Sequence, residues 1–243
     1  MYHSIIFGDK NTWADWYLIP SSRPVFDPPE VKTKFVDVPG VDWHLDLSTV
    51  LTGDVTYGPR TGSFEFIVDN GQYSDYVADA WSALYSEIMN QLHGRSTTAI
   101  LEDDPGFYYQ GRFSINKWKS DKRNSKIVID YVVSPFKYET RSSLEDWLWD
   151  TFNFENGIVR EYRNLKVKNE LDFVIVGRRM TVVPTFIVES SDGKGMKVVF
   201  NGKTYDLKDG TSTVLNIVTV EGENHLKFVG NGTISIDYRG GCL

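Results

Sequence analysis

Four histidines, one cysteine and 33 acidic residues are the groups from which a catalytic or metal site would have to be built. His3, His44, His93 and His225 are dispersed along the chain, and no two have the spacing that places a pair of zinc ligands on one element. No G-x-S-x-G elbow, Walker loop, H-E-x-x-H or paired C-x-x-C occurs. His93 falls in the last turn of a helical pattern, where a cation interacts favourably with the helix dipole, and that is its expected role. Cys242 sits beside the C-terminus, where a nucleophilic thiol has no supporting base, and a single cysteine forms no intrachain disulfide. The run Glu102-Asp103-Asp104 lacks the alternating carboxylates and distal Glu of an EF-hand loop. Two carboxylates would suffice for glycosidase chemistry, but nothing singles out a pair, and Asp is ordinarily a turn residue. The expected catalytic, cofactor-binding and metal residues are therefore none.

Three other groups invite a binding role. Trp147 and Trp149 are two residues apart and would share one face of a strand, with Tyr162 nearby. Such rings could stack on sugars, but the commoner role is a buried aromatic contact, at a domain join or the edge of a second core. Lys117, Lys119, Lys122, Arg123 and Lys126 cluster around residues 120–125, which read as a solvated turn. Nucleic acid is not an expected ligand: residues 1–139 carry 13 basic against 19 acidic side chains, and phosphate binding requires a concentrated positive surface. Asn231-Gly232-Thr233 matches a glycosylation sequon but reads more simply as a hairpin turn.

The elements that position these residues are mostly strands. An aromatic share of 14% in a chain that is 41% apolar and 24% charged fits pleated, half-buried surfaces. Tyr2, Ile5 and Phe7 open with a short strand, without a basic leader, so no secretory signal of the usual form is expected. No window approaches the roughly 18 apolar residues that span a bilayer. Prolines 20, 24, 28, 29 and 39 predict an extended arm over residues 20–40, able to cover its own sheet edge or reach a neighbouring subunit. Residues 64–68 alternate as a core strand. Val77, Trp81, Leu84, Ile88 and Leu92 then recur at helical steps, widened by Tyr85 and Met89, and predict a helix over residues 76–93 ended by Gly94. Strands resume over 97–102, 107–113 and 126–133, with Asp104-Pro105-Gly106 predicting a type II turn. The chain is thus expected to be mainly β. Residues 1–139 form an α+β domain with one long helix on an antiparallel sheet, and 140–243 an all-β sandwich. In the second domain, strands are expected at 173–176, 181–188, 196–200, 214–220, 225–229 and 233–238. Asp192-Gly193, Asn201-Gly202, Asp209-Gly210 and Asn231-Gly232 are the expected hairpin turns.

Several stretches of residues 1–138 also carry a family resemblance. They include Ile5-Ile6-Phe7-Gly8-Asp9-Lys10-Asn11-Thr12-Trp13, Leu18-Ile19-Pro20-Ser21-Ser22-Arg23-Pro24 and Gly62-Ser63-Phe64-Glu65-Phe66. They continue with Ile100-Leu101-Glu102-Asp103-Asp104-Pro105-Gly106-Phe107-Tyr108-Tyr109-Gln110-Gly111-Arg112-Phe113 and Pro135-Phe136-Lys137-Tyr138. In this order they resemble the siphophage distal tail (Dit) family, and 147–154 and 183–186 look like the second domain of that group. The resemblance implies a hexameric ring joining the tail tube to the baseplate, built by the first domain, with a galectin-like or carbohydrate-module-like second domain outside. It implies contact with the tail tube protein and with the tail-associated hub or lysin protein. In some phages the outer domain carries receptor-binding proteins, and a cell-wall saccharide is a further expected ligand of that domain. No enzymatic activity, cofactor, nucleic acid or membrane insertion is implied. The expected location is the virion tail tip, after synthesis in the bacterial cytoplasm.

Overall fold

The computed structural model describes residues 3–68, 78–119, 125–146 and 157–243. The chain is mainly β with one helix among the described residues, and it divides into two compact units, Met1–Lys137 and Tyr138–Leu243.

The first unit contains β1 (Ile5–Phe7), β2 (Lys10–Asn11), β3 (Leu18–Pro20), β4 (Val31–Lys32), β5 (Phe35–Val36), β6 (Leu45–Asp46) and β7 (Thr56–Tyr57). It continues with β8 (Arg60–Val68), α1 (Ala78–Leu92), β9 (Arg95–Leu101), β10 (Phe107–Lys119) and β11 (Ser125–Val133). An antiparallel sheet runs β2-β1-β9-β10-β11-β8-β3. Period-two alternation sends Ile127, Ile129, Tyr131 and Val133 of β11, with Phe64, Phe66 and Val68 of β8, into one core. Leu84, Ile88 and Leu92 close that core from α1, and Tyr85 and Met89 pack at its margin. The predicted helix 76–93 thus appears as Ala78–Leu92; Val77 and the Trp81 side chain lie outside what is described.

One expectation in this unit, the turn after β9, needs correction. His93 lies one residue beyond α1, and its Nδ1 accepts the Ile115 backbone N–H at 3.2 Å. Its backbone N–H still bonds the Met89 carbonyl at 3.0 Å, so His93 joins the end of the helix to the sheet. The turn at 104–107 closes through Phe107 N–H to the Asp104 carbonyl at 3.2 Å. Gly106, however, has no positive φ, so this is not the expected type II turn.

The second unit begins within β12 (Lys137–Glu139) and holds β13 (Leu165–Gly177), β14 (Thr185–Ser190), β15 (Met196–Phe200), β16 (Lys203–Leu207), β17 (Gly210–Thr213), β18 (Gly222–Asp237) and β19 (Gly241–Cys242). The order β16-β15-β18-β14-β17 is antiparallel throughout. Asn201 and Gly202, both at positive φ, make the tight β15–β16 hairpin.

The expected Asn231-Gly232 hairpin is not there, because β18 runs unbroken from 222 to 237. One edge of β18 pairs with β13 from Gly222 to Ile234; the other pairs with β15 over 226–229 and then with β14 over 232–237. The strand changes partner where Gly230 and Gly232 adopt φ of 145° and 144°. A Cβ at 232 would stand 2.1 Å from the Glu189 carbonyl oxygen, so only glycine lets β18 cross there. Asn169, opposite Gly230 at φ 66°, donates its N–H to Asn231 Oδ1 and bends β13 with it. The expected strand at 214–220 is also absent: only Ile217 and Thr219 are buried there, and Val182–Thr219 is an isolated bridge. Strands form instead at the more polar 203–207 and 210–213.

Candidate interaction site

The proline-rich segment does two different things. Its first part is built into the first unit. β3 covers the outer edge of β8 through Leu18, Ile19 and Pro20. Phe26 then inserts its ring into the core at 3% exposure, 3.9 Å from Tyr109, 4.7 Å from Tyr131 and 5.0 Å from Phe64 between centroids. Asp27 follows, donating its backbone N–H to Tyr131 Oη at 2.9 Å and accepting the Tyr131 hydroxyl on Oδ2 at 3.1 Å. Arg60, itself buried, donates to the Asp27 carbonyl at 2.9 Å and to the Pro135 carbonyl at 2.8 Å. Burial pushes the Tyr131 hydroxyl up to about 12, so it remains a donor to Asp27 throughout the neutral range. Gly62 faces this network without a side chain: a Cβ there would lie 2.3 Å from Asp27 Oδ2 and 2.4 Å from Tyr131 Oη.

Beyond that root the chain becomes an exposed ribbon. β4 pairs with β7 and β5 with β6, both antiparallel, and every residue from 30 to 46 is exposed. The prediction of an extended arm at 20–40 missed the return strands at 45–46 and 56–57. Two residues each, they are too short to leave a periodic signal. The ribbon carries Phe35, Val36, Val38, Val41 and Leu45 to solvent, with Trp43 at 74% and Leu51 at 97% exposure. Two-stranded ribbons are marginal by themselves in water, and contiguous exposed apolar side chains mark interaction surfaces.

The acidic run is a set of tethers. Asp103 takes His3 Nδ1 at 2.9 Å and Arg23 Nε at 2.7 Å; Glu102 accepts from the Ser4 backbone at 2.7 Å; Asp104 pairs with Lys137 at 2.6 Å. The His3 hydrogen bond, opposed in part by burial and reinforced by Arg23, holds the Asp103 carboxyl below its usual range. These three acids fix the first residues, the base of the arm and the end of the first unit.

In the second unit Glu139 is buried between Arg160, at 2.6 and 2.7 Å, and Arg178, and it also accepts the Gly240 N–H at 3.0 Å. Burial works against its ionised form, but the two guanidinium groups outweigh it and hold the carboxyl low. Nothing in the local sequence around Glu139 marks this cluster. Tyr162 is a core residue, edge-on to Phe173 at 5.0 Å, and so not an exposed platform. Trp147 and Trp149 lie outside the described residues. His225 is exposed beside Glu223, and His44 pairs with Asp37. Among the described residues, no three His, Cys, Asp or Glu side chains are placed to hold a metal ion, and no helix is long and apolar enough to cross a membrane.

What these residues build is a mainly β protein of two units, with an exposed apolar ribbon held on a buried root. No family model matches the chain, and no curated protein matches it either. Among solved structures it is similar to SPP1 Dit (gp 19.1), described as a paradigm of the hub adsorption apparatus in phages that infect Gram-positive bacteria. The match covers 100% of both chains with a TM-score of 0.60 at 12% sequence identity. At that identity the likeness is one of fold, and it extends over both units.

Proposed function

We propose that this chain is a structural subunit of a siphophage tail tip, a distal tail protein that works by assembly and not by catalysis. The observation that carries the reading is the ribbon of residues 30–57, rigidly rooted yet apolar and exposed, a surface suited to a neighbouring subunit. Likeness in fold to SPP1 Dit along the whole chain supports it. In this reading identical copies, six by resemblance, close into a ring through heterologous contacts. The ring joins the tail tube protein on one side to the hub or lysin protein on the other, within the virion. The test is the mass of the purified full chain by light scattering, with negative-stain imaging for annular particles, alone and with the hub protein co-expressed. Annuli are expected; a monomer under both conditions overturns the reading.

A second reading, a saccharide-binding adhesion module, draws on a shallow cleft of the second unit where Asp172, Asn201, His225 and Lys227 surround Phe173. It predicts that the full chain is retained on host cell wall and that Asp172→Ala or Asn201→Ala releases it. Absence of retention on several host strains refutes it.

A further inference from the structure

The outer part of the arm is stiff and acidic. Val41 donates its N–H to the Val38 carbonyl at 3.2 Å, with Pro39 between them and Gly40 at φ 83°, as in a type II turn. The proline ring limits the freedom this tip would lose on binding. Asp37 and His44 pair on either side of the turn. Residues 35–46 contain Asp37, Asp42 and Asp46 and no Lys or Arg. Among the described residues Asp42 makes no ion pair, and next to it stands Trp43, an exposed ring of the kind that anchors contacts between proteins.

Nearer its root the same arm carries the opposite surface. An open cleft of about 430 Å³ lies between residues 32–34 and 47–52, with Lys32, Lys34, Leu47, Val50 and Leu51 in its walls and no acidic residue. Sites of roughly 300–1,000 Å³ are large enough to enclose an aromatic group. The two sides are joined by Lys34 N–H to Ser48 Oγ and Leu47 N–H to the Lys34 carbonyl, each at 2.8 Å. Both lysines are exposed, and among the described residues neither makes an ion pair. Val50 and Leu51 stand in water at the same place. The arm's own Trp43 is not in the walls of the cleft and does not fill it.

Two acidic tips brought together would repel each other, whereas a tip and a cleft match in both charge and polarity. We infer that the tip of each arm seats in the arm cleft of a second copy of this chain, with Trp43 against Val50 and Leu51 and Asp42 facing Lys32 and Lys34. The contact rests on the assembly reading above and supplies both of its faces. Because those faces differ, the contact is heterologous, as ring closure requires. Association should weaken as salt rises, since the charges lie at the rim, where a Debye length of about 8 Å at physiological salt screens them.

The test mixes full chains in which one face is broken, read by sedimentation velocity. Trp43→Ala breaks the tip. Lys34→Glu combined with Leu51→Asp breaks the cleft by placing carboxylates where the tip brings its own. Each variant alone should associate at least about tenfold more weakly than wild type. Mixed in equal amounts, the intact tip of one meets the intact cleft of the other, and they should sediment as a 1:1 dimer that grows no further. All the altered side chains are exposed, so melting temperatures should stay within about a degree of wild type, which separates loss of contact from loss of fold. If the cleft variant associates as well as wild type, or the mixture forms no dimer, the tip is received elsewhere and the inference is overturned while the assembly reading survives. A wild type that does not associate, alone or with the hub protein, overturns the assembly reading and this inference with it.

Discussion

Adding one methyl group at Gly62 tests whether the arm's root is built as described. Gly62 lies opposite Tyr131 in the β8–β11 ladder, flanked by Thr61–Val132 and Ser63–Asp130 pairs that hold its backbone in place. The new Cβ would sit 2.3 Å from Asp27 Oδ2, 2.4 Å from Tyr131 Oη and 2.7 Å from Tyr131 Cζ, more than 0.5 Å inside ordinary contact in each case. The Tyr131 ring cannot retreat, because Phe26 and Phe64 pack against it at 4.7 and 4.8 Å. Asp27 can swing toward water, but its carboxylate then gives up the bond from the Tyr131 hydroxyl, about 1 kcal/mol, on top of about 1–3 kcal/mol for overpacking. Gly62→Ala should therefore cost the first unit about 3 kcal/mol, which lowers its melting transition by roughly 10 °C for a unit of this size. Hydrogen exchange at the Asp27 amide, now protected by Tyr131 Oη, should accelerate in the variant. Tyr131→Phe alone should cost about 1–2 kcal/mol, and adding Gly62→Ala to it should cost less than in the wild-type background, since the clashing hydroxyl is gone. A G62A protein that melts within a degree of wild type, or that loses equally in both backgrounds, refutes the packing account of the root.

Glu139→Gln leaves two buried guanidinium groups without their counter-charge and should destabilise the second unit by about 3–5 kcal/mol, read as a lower urea midpoint at pH 7. Because the Glu139 carboxyl is held below its ordinary 4.5, its contribution is complete above that pH and fades as pH falls through the lowered value. The variant should accordingly show a shallower acid limb below the ordinary carboxylate value of 4.5, and parallel limbs would contradict the assignment. Two glycines should respond very differently to alanine. Gly202→Ala, at φ 73° with open space around it, should cost about 1–2 kcal/mol, whereas Gly232→Ala meets the Glu189 carbonyl at 2.1 Å and should prevent the second unit from folding, as far-UV and near-UV circular dichroism would report.

Which of these features were legible beforehand follows a physical division. Alternation in 64–68 and 126–133 and the Leu84–Ile88–Leu92 stripe placed the central strands and the helix. The signal is local: side chains two or four residues apart share a face whatever the rest of the chain does. Asn201-Gly202 announced its hairpin for the same reason, since both residues tolerate the positive φ that turn demands. The same local rules misled where a distant partner intervened. Asn231-Gly232 looks like a turn, but its glycine serves instead to let β18 pass the Glu189 carbonyl and switch from β15 to β14.

By itself the sequence determined a mainly β chain with one helix, an extended proline-rich segment and no familiar catalytic motif. Tertiary structure alone decided that Phe26 in that segment is a core residue, while Trp43, farther along in the ribbon, is left in water. It also decided that Glu139 meets Gly240 about a hundred residues away. Those outcomes depend on which distant surfaces close over a residue, and the burial and pairing energies involved arise only once loops separated by most of the chain have been brought together.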